Sequence, residues 1–145
     1  MTESGTASPT DPGQVLDGLA VELRRALDDA AASVPAVTRR DVTGDDAVAC
    51  SVGRADDGSQ QWNYALRLLF DGDPAGAAAA VRARLESAGF TIREDAGSLR
   101  WTALREGASI SSTAGTDASL GSGMSLVGVT ACVSPEGAVD ATDPT

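Results

Sequence analysis

The sequence predicts an α+β fold: a two-layer sandwich in which a mainly antiparallel sheet of about six strands carries two helices packed on one face. Three observations predict it. Val15, Leu16, Leu19, Leu23, Ala26, Leu27 and Ala30 recur at three- and four-residue spacing, the mark of an amphipathic helix. Trp62, Tyr64, Leu66, Leu68 and Phe70 fall on alternate positions, the mark of a strand with one buried face. From Phe90 onward, short apolar runs alternate with turn residues, as in a meander.

Each element follows from local chemistry. The first helix opens near Pro12 and stops before Pro35, because the residue ahead of a proline disfavours helix. Residues 37–46 read as a connection into a short strand around Cys50, at 47–52. A turn-rich link at 54–59 then suggests an antiparallel hairpin with the 62–70 strand. Asp73 is placed to cap the second helix, with Pro74 at its first position. Ala77, Ala78, Val81, Leu85 and Ala88 form its apolar stripe. Gly89 ends it, and Phe90 folds back onto its last turn. Strands are expected at 90–93, 99–104 and 108–113, with turns at 95–98 and at Glu106-Gly107. Residues 115–123 read as a hairpin loop rich in Gly and Ser, and 124–133 as the last strand. Residues 1–12 form a flexible tether, 13–133 a single domain, and 134–145 a disordered acidic tail. Aromatics are few, so Trp62, Leu66, Phe70, Val81, Leu85 and Phe90 are expected to share one core, with Trp101 at least partly buried.

Composition narrows the chemistry. The 145 residues suit one domain with tails. All 11 basic residues are arginine, and the net charge is −10, which argues against nucleic acid or an anionic membrane surface as partner. There is no histidine, so neither a Ser-His-Asp nor a Cys-His mechanism fits within one chain. Two distant cysteines and no histidine supply no zinc site, and neither metal nor cofactor is expected. The longest apolar run, 77–81, is far too short to span a bilayer.

The two cysteines sit in apolar, strand-like stretches 82 positions apart. If those strands are neighbours, Cys50 and Cys132 join the first and last strands, closing a loop that stabilises the chain by roughly 4–5 kcal/mol. Two buried thiols or a redox pair are the alternatives, though a redox pair lacks Cys-x-x-Cys spacing. Asp71-Gly72-Asp73 resembles the start of a calcium loop, but a proline and a helix follow where further ligands belong, so capping is the better reading. Asp41, Asp45 and Asp46, with Asp56 and Asp57, offer a weak cation cluster beside the commoner reading of solvated carboxylates. Glu94, Asp95 and Glu106 offer carboxylates for glycoside hydrolysis without the aromatic cleft such chemistry needs. The 115–123 loop matches no phosphate-binding fingerprint and lacks lysine. It is instead a place for a partner to dock. Helices on one face leave the other face free, carrying Asn63, Ala65, Arg67, Arg100 and Thr102. Arg67, Arg100, Asp117 and Ser119 are therefore the candidate partner contacts.

The stretch from Ala47 to Val133 resembles small cell-envelope lipoproteins of actinobacteria. The likeness rests on Cys50, Gln61-Trp62-Asn63-Tyr64, the helix opening at Asp73-Pro74 and ending in Ala88-Gly89-Phe90, and Ala131-Cys132-Val133. It implies a secreted, lipid-anchored, extracytoplasmic domain with a Cys50–Cys132 bond. The polar tract at 2–13 suits the tether that follows a lipidated cysteine, with Met1 standing where that cysteine belongs. Contact with a membrane is expected only through that anchor. The expected function is non-enzymatic binding of a protein, peptide or cell-wall component, and the net charge predicts a basic partner held in a salt-sensitive way. The alternatives are a small secreted hydrolase or cation-dependent enzyme using the clustered acids, and an accessory or inhibitory subunit of a larger secreted enzyme.

Overall fold

A computed structural model describes residues 11–50, 58–94, 99–117 and 121–139. Helix α1 (Pro12–Ala31) leads into the long strands β1 (Val37–Ala49) and β2 (Gln60–Phe70). Helix α2 (Pro74–Ser87) follows, and then β3 (Thr91–Glu94), β4 (Arg100–Arg105), β5 (Ala108–Asp117) and β6 (Gly121–Thr130). The strands form one open sheet in the order β1-β2-β6-β5-β4-β3, with every pair antiparallel. A hairpin and a four-stranded meander are thus joined by the β2–β6 pairing. The α+β sandwich expected from the sequence is the fold.

Both helices start and stop where their chemistry dictates. The Asp11 carboxylate accepts from the Gly13 N–H at 2.9 Å, capping α1 with Pro12 at its first position. The Asp73 carboxylate does the same for α2 through the Ala75 N–H at 3.2 Å. At the end of α2, the Phe90 N–H donates to the Leu85 carbonyl and the Gly89 N–H to the Glu86 carbonyl, each at 3.0 Å. Gly89 at φ 96° makes that double closure possible, and Phe90 is carried into the core.

Helix α1 lies over β2 and β6, α2 over β3, β5 and β6, and the helices touch each other. Their inward stripes, including Leu23, Leu27, Val81 and Leu85, meet Leu66, Leu68, Phe70, Trp101, Ile110 and Leu126 in one cluster. Each fully buried side chain of this size stabilises by about 1.5–3 kcal/mol. Gly128 is what lets α1 approach β6. A Cβ there would stand 2.7 Å from Leu23 Cδ1 and 2.8 Å from Leu27 Cδ1.

Four expectations need correction. Residues 37–46 are strand, not connection. β1 is an exposed edge with Arg39, Arg40, Asp41, Asp45 and Asp46 along it, so no burial periodicity betrays it. Its pairing with β2 shifts register at two places, leaving Thr38 and Thr43 unpaired, and such bulges together with charges blunt an edge against further pairing. Trp62, expected in the core, is only half-buried at its rim, whereas Trp101 is fully enclosed. Residues 115–117 and 121–123, expected as loop, are paired strand, since β5 runs through Asp117 and β6 begins at Gly121. Finally, residues 134–139, expected in the disordered tail, form a turn, while 140–145 lie outside the described residues. The Ser134 N–H donates to the Ala138 carbonyl at 2.9 Å, and Val139 returns to bridge Val133.

Cys50 and Cys132 are disulfide-bonded, with Cα atoms 6.3 Å apart. Both lie just past the ends of β1 and β6, strands that are not neighbours but flank β2. The bond therefore closes over the start of β2, where Gln60 exchanges two backbone hydrogen bonds with Val133. The Gln61 side-chain oxygen lies 3.5 Å from the Cys132 sulfur and 3.7 Å from the Cys50 sulfur. Such a bond is consistent with an oxidising, extracytoplasmic environment. Among the described residues, no helix is long and apolar enough to cross a membrane.

Candidate functional site

Successive side chains of a strand point to opposite faces, so the sheet's second face can be read from the register. Strand β2 contributes Asn63, Ala65, Arg67 and Leu69, and β6 contributes Gly123, Ser125, Val127 and Val129. Strand β5 adds Ser109, Ser111, Thr113 and Gly115, and β4 adds Arg100, Thr102 and Leu104. Among the described residues, no helix covers this face. Arg67, Ser125, Thr113 and Arg100 are all exposed, while Ala65 and Thr102 are buried between larger neighbours.

The register places the two candidate arginines in one row. Arg67 pairs with Ser125, Ser125 with Thr113, and Thr113 with Arg100. Two hydroxyls therefore lie between two guanidinium-bearing positions, across three inter-strand steps of about 4.8 Å each. The adjacent row is Leu69, Gly123 and Gly115. Two glycines side by side leave the backbone bare, and a shallow trough of about 320 Å³ opens there between the arginine row and the hairpin end. Gly115 faces open space, and a Cβ on Gly123 would only touch the Leu68 carbonyl and Leu69 Cδ2 at 3.4 Å.

Charge separates this row from the rest of the molecule. Arg24, Arg25, Arg39, Arg40, Arg82 and Arg84 each pair with a carboxylate. Arg105 donates to the Ala88 carbonyl and covers the Phe90 ring at 4.4 Å, and Arg93 is engaged as well. Arg67 and Arg100 alone among the described arginines make neither ion pair nor hydrogen bond. This holds although acids outnumber bases 21 to 11. Asp41, the cross-strand neighbour of Arg67, is held by Arg39 at 2.9 Å. Asp117 ends β5 opposite Gly121, close to the trough, but its side chain and Ser119 lie outside the described residues.

A larger depression, about 520 Å³, lies along the outer side of α1 between Val21, Arg24, Arg25, Asp28, Asp29 and Ala32. Its charges are already spent on structure. The Trp62 indole N–H donates to Asp45 at 2.7 Å, Arg24 donates to the same oxygen at 3.0 Å, and the Arg24 guanidinium stacks 5.0 Å from the Trp62 ring. The Tyr64 hydroxyl donates to Asp28 at 2.7 Å, and Arg40 reaches that carboxylate too. Burial of the Tyr64 ring, and then the Asp28 carboxylate, raises the phenol pKa above its ordinary value. These bonds clip α1 to β1 and β2. The sequence reading missed them, yet a signal existed: Trp62 and Tyr64 end a core stripe with polar tips that need partners, and Arg24 and Asp28 stand one helical turn apart.

Among the described residues, the acidic groups singled out from the sequence do not gather into a cluster. Asp41 and Asp45 are engaged by Arg39 and Arg24. Asp56, Asp57, Asp95 and the Glu94 side chain lie outside the described residues, and Glu106 sits exposed in the turn before β5. Among the described residues, no three His, Cys, Asp or Glu side chains cluster as a cation site requires. Comparisons of the chain with protein-family models, with curated proteins and with solved structures return no match.

Proposed function

We propose that this chain is a non-enzymatic binding module of the bacterial cell envelope, lipid-anchored and extracytoplasmic, that holds a protein or peptide partner on the open face of its sheet. The observation that carries the reading is the pair of unengaged arginines, Arg67 and Arg100, in one row beside a glycine-floored trough. An arginine left without a partner in so acidic a chain is available for bidentate recognition. The disulfide supports an oxidising location. The envelope and its lipid anchor rest on the resemblance to actinobacterial lipoproteins. An enzyme built on clustered acids has less support, because Asp41 and Asp45 serve as ion-pair partners.

Site-specific photo-crosslinking tests the surface. A photoreactive residue at Thr113 on the open face should give a discrete adduct in the native envelope, and the same group at Asp17 on the outer side of α1 should not. Adducts confined to the Asp17 position would move the binding surface to the helix layer and overturn the proposal.

A further inference from the structure

Resting on that reading of the open face, we infer that its partner presents an extended acidic segment of polypeptide. The segment lies across the strands in the trough, with two carboxylates on Arg67 and Arg100. The register supplies the measure. Three inter-strand steps separate the two arginine positions by about 14 Å, and an extended chain advances about 3.4 Å per residue, so carboxylates four residues apart match the row. Four is also an even step, which puts both carboxylates on the same side of the extended segment.

The surroundings fit such a guest. Gly115 and Gly123 form a floor without side chains, where a backbone can approach closely, and the Ser125 and Thr113 hydroxyls stand ready to bond its peptide groups. The net charge of −10 alone favours a basic partner. At physiological salt, however, charges are screened within about 8 Å, and the carboxylates of α1 lie on the far side of the sheet. Short-range chemistry along the row is set by Arg67 and Arg100, since Arg93, opposite Thr102 on the same face, is already engaged. Asp41, the nearest acid in register, is occupied by Arg39.

The test uses the full chain, isotope-labelled for NMR, and three capped peptides. The first is Thr-Glu-Thr-Val-Thr-Glu-Thr, with β-branched spacers that favour extension. The second replaces both Glu by Gln, and the third replaces both by Lys. The acidic peptide should shift the amides of Arg67, Ser125, Thr113 and Arg100 saturably, and the Gln and Lys peptides should not. Arg67→Ala and Arg100→Ala should each weaken binding about fivefold, the scale of one exposed ion pair. Gly115→Val fills the trough where nothing now stands within 4 Å, so it should block binding while the fold is retained. If the acidic peptide leaves these amides unmoved, or binds both arginine variants as well as the parent, the inference is wrong. Binding of the Lys peptide at the same row, abolished by Gly115→Val, would overturn the acidic class while leaving the open face as the binding surface. Shifts confined to α1 would overturn both.

Discussion

The two faces of this sheet come from the same strands and differ in nearly every physical respect. On the covered face, Leu66, Leu68, Ile110 and Leu126 are wholly enclosed by two helices. On the other, arginines, hydroxyls and small side chains mix with a few aliphatic ones, and Val127 remains 39% exposed. On the covered side, close approach is filled by leucines around Gly128. On the open side, Gly115 and Gly123 leave a trough that their own missing side chains do not fill. Ion pairs on the helix side bind element to element, whereas Arg67 and Arg100 on the open face pair with nothing among the described residues. One face is therefore spent on stability and the other is available for recognition.

The sharpest way to break this contrast is to cut the covalent tie where β1, β2 and β6 meet. In the chain-entropy model, closing a loop of 82 positions stabilises by about 4–5 kcal/mol, so Cys50→Ala should lower the urea midpoint severely. Intact mass with and without reductant should differ by two protons. A loss below about 1 kcal/mol would mean that the helix-covered core holds this end of the sheet unaided. Next in size, Leu66→Ala should cost about 2–5 kcal/mol, because its site is wholly enclosed. Val127→Ala, on the adjacent strand but the opposite face, should cost well under half of that. Equal losses at the two positions would show that the open face is covered in solution.

How much of this could be read in the sequence follows the same division. The covered face was legible, because burial imposes a period: the bulky residues of β2 fall on alternate positions, both helices carry stripes, and Asp73, Pro74 and Gly89 punctuate α2 as their chemistry requires. Strand β1 was not, because an edge strand exposed on both faces has no hydrophobic period and exists through its pairing with β2. Gly115 and Gly123 looked like loop because glycine in a strand has no side chain to declare a face. Arg67 and Arg100 could be singled out one by one. Their common row could not, since it depends on β6 inserting between β2 and β5.

The glycines allow a milder comparison. Gly128→Ala places a methyl within 2.8 Å of two buried leucines that have no room to withdraw, so overpacking should cost about 1–3 kcal/mol. Gly115→Ala meets nothing, and its backbone is ordinary strand, so it should be neutral or gain about 0.5 kcal/mol from lower chain entropy. Thermal melts of the two variants give the sign directly. A destabilising Gly115→Ala would mean that the trough is narrower than its geometry indicates.

The smallest effect separates the arginines themselves. Arg84 grips Asp29 through two nitrogens at 2.9 and 3.0 Å, tying α2 to α1, and this hydrogen-bonded pair lowers the Asp29 pKa below its ordinary value. A carboxyl whose folded pKa is depressed stabilises the fold above its unfolded value, and that contribution fades as pH falls through the folded one. Arg84→Ala should therefore be slightly less stable than the parent at neutral pH, with the gap closing below about pH 4 and in high salt. Both groups are well exposed, so the gap is small. Arg67→Ala removes no pair and should show no such gap at any pH, nor any salt dependence in its difference from the parent. A pH-dependent loss of stability in Arg67→Ala would reveal an ion pair within the chain, and the arginine row would then belong to the fold rather than to a partner.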